Sequence, residues 1–398
     1  MIARHLTRQV DRWLTQFPAV AILGPRQCGK STLARALLAL RPDAIYLDLE
    51  KPSHHARLRD AEAFLDLHRG QLICLDEIQR QPDLFPVLRS FLDDGQANGQ
   101  ILLLGSASRD LIRQSSETLA GRIGYLELTP FRLGEVAGAH GRQREVLRTL
   151  WLRGGFPRSF LAADDRASLE WRQEFIRAFL ERDIPQLGFN ISAVVLRRFW
   201  QMCAHVHGQL WNGSKLGESM GVSHTTIRSY VDLLSQTYTL RVLPPCEPNL
   251  KKRLIRSPKV YVRDTGLLHA LLDIESLDHL MGHPTYGASW EGLVVEHVAS
   301  HLASGWRASF YRSSTGSEAD LVLEKGGQRL VVECKASSAP QVNRGFWTAL
   351  SDLNVQKAWV AAPVSESYPL AKNVTVVSLS DLFKQLSTLG IVHSGTHP

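Results

Sequence analysis

Nothing in this 398-residue chain resembles a membrane span: no apolar run approaches the ~18 residues needed to cross a bilayer. The opening stretch MIARHLTRQVDRWL has apolar residues at helical spacing but is broken by Arg, His and Asp. It lacks the continuous apolar segment of a secretory signal, so a cytoplasmic location is expected, with no membrane partner. Cysteine is scarce. Cys28, Cys74, Cys203, Cys246 and Cys334 are odd in number and scattered, and no CxxC pair occurs, which argues against a disulfide framework and against a cysteine zinc site. Low-complexity segments and obvious repeats are missing as well. What remains is an ordinary globular balance, 44% hydrophobic and 21% charged, in a chain long enough for two to four domains. A formal charge of +7 is a mild excess that suits an acidic polymer as partner and is also common among soluble proteins.

The first informative segment is AVAILGPRQCGKSTLARALLAL. Residues 19–23 read as a short buried strand and residues from 31 on as a helix, so the glycines fall where a strand turns into a helix. Gly24, Pro25, Arg26, Gln27, Cys28, Gly29, Lys30 and Ser31, followed by Thr32, fit the spacing G-x-x-x-x-G-K-[ST]. In such a loop backbone amides close around phosphate oxygens, the lysine reaches the β and γ phosphates, and the hydroxyl of Ser31 ligates Mg²⁺.

A hydrolysing site also needs carboxylates at the end of a neighbouring buried strand. QLICLDEIQ supplies an apolar run, Leu72 to Leu75, ending in Asp76 and Glu77. Asp76 is expected to hold Mg²⁺ through water and Glu77 to orient and deprotonate the attacking water; the alternative is a helix cap. A third strand, QILLLGSAS, ends in Ser106 and Ser108, either of which suits a polar contact to the γ-phosphate. Arg122, in LAGRIGYLEL, is a candidate for stabilising transition-state charge from a neighbouring subunit, with Arg109, Arg113 and Arg182 as competitors and a plain ion pair as the alternative.

Together with GGFP at 154–157, FLERDIPQL at 179–187 and the carboxy-terminal motifs below, these segments resemble the prokaryotic AAA-type (AAA+) P-loop ATPases whose carboxy-terminal region is restriction-nuclease-like, a PD-(D/E)xK fold. The resemblance covers most of the chain. It implies ATP as the nucleotide and a ring or other oligomer with sites formed between subunits.

Residues from about 150 to 205 read as mostly helical, either a lid or a connector. SKLGESMGVSHTTIRSYVDLLSQTYTLRVLPP then gives a short helix, a Gly221-Val222-Ser223 turn, a longer helix and an apolar strand, the order of a winged helix-turn-helix. In the second helix Ile227, Tyr230, Val231 and Leu234 share one face, leaving His224, Thr225, Arg228 and Ser229 outward, where they would meet phosphates or base edges. Lys251, Lys252, Arg253, Arg256 and Lys259 follow in one basic run, suited to tracking a DNA backbone and equally readable as a solvated face.

In GSEADLVLEKGGQRLVVECKAS, Gly326-Gly327 marks a two-residue hairpin turn. Pairing Lys325 with Gln328 sets Asp320 opposite Glu333 and Glu318 opposite Lys335, all four side chains on one face. Directly opposed carboxylates call for a positive charge between them, and a divalent metal is the economical choice. The spacing resembles the PD-(D/E)xK signature, with Asp320 and Glu333 as Mg²⁺ ligands and Lys335 beside the attacking water; Ala319 stands where that pattern usually has proline. Upstream, SWEGLVVEHVASHL offers Glu291 as the acidic residue of the first helix, with Glu296 as competitor. The same fold could instead only grip DNA.

The expected architecture is thus α/β throughout: an AAA+-like parallel-sheet ATPase core over 1–160, a helical lid or connector over 161–205, a winged helix-turn-helix over 206–270 and an α/β restriction-endonuclease-like domain over 271–398. ATP and Mg²⁺ are the expected cofactors. The expected function is an oligomeric ATPase acting on duplex or branched DNA, by translocation, remodelling or branch migration. An ATP-gated metal-dependent nuclease and an ATP-controlled winged-helix regulator with slow turnover stand as alternatives.

Overall fold

The continuous apolar run at 19–24 becomes the central strand of a sheet covered on both faces, which is why its residues are hydrophobic without alternation. The computed structural model describes residues 2–95, 97–106, 115, 117–137, 143–246 and 254–393. Ser108, Arg109, Arg113, Lys251, Lys252 and Arg253 lie outside the described residues. The chain divides into two compact units, one comprising residues up to Phe131 with 236–238, the other the remainder.

In the first unit five parallel strands run β1 (Ala19–Gly24), β2 (Ile45–Asp48), β3 (Ile73–Asp76), β4 (Ile101–Ser106) and β5 (Ile123–Glu127), in the order β2-β3-β4-β1-β5. Side chains alternate between two cores. Val20, Ile22, Cys74, Leu102 and Leu104 pack with Val10, Leu33 and Leu37 of the helices on one face. Ala21, Leu23, Leu75 and Leu103 pack with Leu65, Phe85, Leu88 and Phe91 on the other. This is the three-layer α/β arrangement of a P-loop domain with a parallel sheet.

The second unit begins at Arg132, and the segments expected as a helical lid or connector, a winged helix-turn-helix and a carboxy-terminal domain fall, apart from residues 236–238, within it. A close approach of two backbone segments joins them. Gly154, in GGFP, has φ +75°, and a Cβ there would lie 2.1 Å from Asp264 Oδ1. Asp264 accepts hydrogen bonds from Gly155 N (2.7 Å) and Leu267 N (2.9 Å), so one buried carboxylate both caps the helix Thr265–Leu271 and holds the glycine turn. The fully buried Arg172 adds a hydrogen bond to Gly266 O at 2.8 Å.

The helices Gly213–Met220 and His224–Gln236 are separated by a turn at 221–223 and followed by an antiparallel pair, β6 (Leu240–Leu243) with β7 (Lys259–Val262). The last six strands, β8 (Arg307–Arg312), β9 (Glu318–Lys325), β10 (Gln328–Cys334), β11 (Ala358–Ala361), β12 (Tyr368–Ala371) and β13 (Val374–Val377), form one sheet in the order β12-β13-β11-β10-β9-β8. It is mixed: β8, β9 and β10 are antiparallel neighbours, whereas β10, β11 and β13 are parallel. The β9–β10 hairpin turns on Gly326-Gly327, both at positive φ, and pairs Gln328 with Lys325, the register expected from the sequence. The helix Tyr286–Ala299 is tied to the sheet by Trp290, whose indole donates to Ala361 O at 2.9 Å.

Gly154→Ala should therefore destabilise the protein by roughly 2–4 kcal/mol, combining a forced left-handed residue with a collision at a buried carboxylate. A thermal melt should show a clearly lowered midpoint; a melt superimposable on wild type would contradict this account of the turn.

Candidate functional site: a phosphate loop and two carboxylate clusters

The turn between β1 and the helix Lys30–Leu38 places Gln27 (φ +61°) and Gly29 (φ +102°) in the left-handed region. Its underside is fastened to the first unit's interior. Cys28 is fully buried with its thiol 3.3 Å from Leu128 O, and Arg4 donates to Cys28 O at 2.9 Å and Thr129 O at 2.5 Å. Burial pushes the Cys28 thiol up, so this cysteine acts as packing and not as a nucleophile. Lys30 is buried and donates to the carbonyls of Gly24 (3.0 Å) and Pro25 (2.9 Å), holding its ammonium within the loop. Ser31 and Thr32 occupy the first turn of the helix, whose unpaired amides and positive dipole end favour an anion. At the rim Glu50 binds both Arg26 (3.3 Å) and Arg80 (2.9 Å).

Strand order brings the second set of groups alongside. Gly24 pairs with Ser106 across β1 and β4, and Leu104 pairs with Asp76 across β4 and β3, so the loop, Ser106 and Asp76 share one end of the sheet. Asp76 is buried; Tyr46 donates its hydroxyl to Oδ2, and the Arg35 guanidinium lies 4.9 Å above the Tyr46 ring. Asp76 Oδ1 and Ser106 Oγ are buried without a hydrogen-bond partner among the described residues. An unsatisfied carboxylate oxygen and hydroxyl beside a phosphate loop are the acceptors that a nucleotide-bound Mg²⁺ with its waters would complete, so the residues fit that group. Glu77 follows in the left-handed region at φ +59°, a costly conformation for a non-glycine residue, and Gln79 donates to its Oε2. Burial raises the Glu77 carboxyl, and the Lys30 ammonium pulls it partly back. Tyr46, Arg35 and Gln79 were not singled out from sequence; Tyr46, two residues before the acidic end of β2, carries a weak signal only once strand order is known.

Arg122 is placed elsewhere. It precedes β5, whose Ile123 pairs with Ala19, at the opposite end of β1 from Gly24 and about 16 Å along the strand. There it binds Asp93 and Ala120 O, so within its own chain Arg122 does not reach the loop. Arg182 pairs with Asp183 at 3.3 Å in a π-helical turn at Phe179–Asp183.

In the second unit the predicted acidic residues do converge, with a different cation among them. Asp320 Oδ2 accepts from Cys334 N at 2.9 Å, and Lys335 donates to Glu333 Oε1 at 2.7 Å instead of facing Glu318. The ammonium of Lys259, on β7, lies 3.0 Å from Glu291, 3.0 Å from Glu318 and 3.6 Å from Asp320. Lys259 is only 2% exposed, which corrects its place in a solvent-facing basic run: Lys259 and Tyr261 share the inward face of β7, and both donate to Glu291. Burial and the neighbouring Asp320 raise the carboxyls of Glu291 and Glu333. Among the described residues no group of three or more His, Cys, Asp or Glu is arranged to hold a metal, and the cation that stands among these carboxylates is Lys259. Glu296, the competitor of Glu291, is buried among Arg132 (2.9 Å), Arg263 (2.7 Å) and Arg241, which hold it well below the usual carboxylate range.

On the helix His224–Gln236, His224, Thr225, Arg228 and Ser229 are exposed while Ile227, Tyr230, Val231 and Leu234 are buried. Arg256 is exposed as well.

Loop, acidic strand end and parallel sheet make the first unit a P-loop NTPase-like α/β domain, and residues 16–137 match the family described as "AAA domain". Residues 144–278 and 286–382 match two domains of unknown function, DUF8612 and DUF4143. The chain belongs to the family of two uncharacterized proteins, Rv2008c of Mycobacterium tuberculosis and Mb2031c of Mycobacterium bovis. It is 41% identical to each over 374 residues, covering 94% of this chain and 83% of theirs. Among solved structures it is similar to the Walker-type ATPase paby2304 of Pyrococcus abyssi (17% identity, TM-score 0.49, 68% of this chain and 96% of that one). It is also similar to the RuvB Holliday junction branch migration motor of Thermotoga maritima (18% identity, TM-score 0.31, 61% and 90%).

Lys30→Ala removes the cation inside the loop and should weaken binding of a fluorescent ATP analogue at least about tenfold, an expectation from losing a charge-assisted contact. Titration followed by anisotropy measures it; unchanged affinity would place nucleotide binding elsewhere.

Proposed function

We propose that the protein hydrolyses ATP and applies the energy to DNA. The observation that carries the ATPase part is the shared sheet end, where the loop with Lys30 stands beside a buried Asp76 whose Oδ1 has no partner among the described residues and a Glu77 held in a strained backbone conformation. Ser31 and Asp76 would hold the nucleotide's Mg²⁺, which supplies charge neutralisation on the phosphates. Lys30 and the amides at the start of the helix bind and orient those phosphates. Glu77 takes the proton of the attacking water, and its raised proton affinity makes it a stronger base than an ordinary glutamate. Ser106 offers a hydroxyl to the phosphate end of the site.

The DNA part rests on the exposed His224, Thr225, Arg228 and Ser229 on one helix face, with Arg256 exposed nearby in sequence and a net charge of +7. Self-association belongs to the same reading, a neighbouring copy providing the arginine that Arg122 does not provide in its own chain.

Phosphate release with and without linear duplex or four-way-junction DNA tests both parts. Hydrolysis should rise with DNA, and Glu77→Gln should keep nucleotide binding while slowing turnover about 100-fold or more. Because an acting base must be deprotonated and Glu77 is raised, the rate should fall on acidification through a value above the ordinary carboxylate range, and that limb should vanish in Glu77→Gln. Arg228→Ala should weaken DNA binding and flatten its salt dependence by about one counterion. Full activity in Glu77→Gln, or DNA affinity indifferent to Arg228, would contradict the respective part.

A further inference from the structure

The β9–β10 hairpin and the helix Tyr286–Ala299 bring Glu291, Glu318, Asp320 and Glu333 into one cluster, and the question is what balances their charge. Lys259 approaches from β7, a different part of the unit. An ammonium has three N–H donors and no acceptor, and here three carboxylates surround it at 3.0, 3.0 and 3.6 Å. Its approach is lined by Phe310, whose ring centroid lies 5.5 Å from Nζ, a cation–π contact that favours a charged group at this spot. Further donors reach the cluster: Tyr261 OH shares Glu291 Oε1 at 2.6 Å, Cys334 N binds Asp320 Oδ2 at 2.9 Å, Lys335 binds Glu333 Oε1 at 2.7 Å and Arg312 lies 3.5 Å from Glu318, while Glu333 Oε2 is buried without a partner among the described residues. Four carboxyl groups thus meet three cations, Lys259, Lys335 and Arg312, a balance one charge short and so smaller than the two charges a dication would bring.

We propose that Lys259 is the resident cation of this cluster, standing where a divalent metal would otherwise bind, so that the carboxy-terminal sheet takes up no Mg²⁺ or Mn²⁺ and cuts no phosphodiester bond. A metal ion bound by Asp320 with Glu291 would have to sit about 2.1 Å from oxygens that lie 3.6 and 3.0 Å from the ammonium. Like charge excludes it while Lys259 stays in place. An ammonium supplies no Lewis acid and generates no hydroxide, so what the cluster does instead is join β7 to β9 and to the helix Tyr286–Ala299.

The test is Mn²⁺ titration of the full, nucleotide-free chain, with free ion counted by electron paramagnetic resonance. Wild type and Asp320→Asn should bind the same number of ions. Lys259→Ala should gain one ion per chain, bound at least tenfold more tightly than anything in wild type, and Lys259→Ala/Asp320→Asn should lose it again. A wild-type ion that disappears in Asp320→Asn overturns the proposal. So does a folded Lys259→Ala, with a circular dichroism spectrum like wild type, that gains none. Should Lys259→Ala fail to fold, the wild-type against Asp320→Asn comparison decides alone.

Discussion

A carboxylate withdrawn from water must meet a positive charge or take up a proton, because an unpaired ionised group in the interior is too costly to keep. That single requirement organises both units of this protein and separates their two acidic sites. In the first unit Asp76 has a phenol on one oxygen and, among the described residues, no hydrogen-bond partner on the other. In the second, the carboxylates around Asp320 have lysine, tyrosine, arginine and backbone donors already in place. The first arrangement holds no ammonium of its own against its open oxygen; the second already has the Lys259 ammonium among its carboxylates, with Glu333 Oε2 alone left without a partner among the described residues.

The scaffold explains why the open site lies where it does. Inserting β4 between β1 and β3 sets three strand ends side by side, so a loop, a hydroxyl and a carboxylate separated by dozens of residues in the chain meet at one edge of the sheet. Anchoring through Cys28 and Arg4 holds the loop from below, away from its phosphate-facing side. The same logic of fixed supports recurs in the second unit, where Asp264 ties the glycine turn to a helix start and three arginines hold Glu296.

Much of this was legible in the residues. The loop, the acidic strand end and the hairpin register follow from local spacing: glycines at a strand–helix junction, an apolar run closing on Asp-Glu, and Gly-Gly between two strands. The outward and inward faces of the helix His224–Gln236 follow from its 3.6-residue period, though what that face touches does not. What escaped was long-range. Lys259 reads as one more charge in a basic run, and only its alternation with Tyr261 hints that it points inward. Arg122 sits near a strand in sequence, but which end of the sheet that strand presents depends on its parallel pairing with β1. The contact of Gly154 with Asp264, across more than a hundred residues, is likewise invisible to local spacing.

The central claim, that the chain has one place for a divalent ion and that this place requires a nucleotide, is most directly tested by phosphorus-31 hyperfine spectroscopy of Mn²⁺ bound together with a non-hydrolysable ATP analogue. Every bound manganese should couple to phosphorus, at one ion per chain, with the signal weakened by Asp76→Asn. A second manganese population without phosphorus coupling would contradict the account.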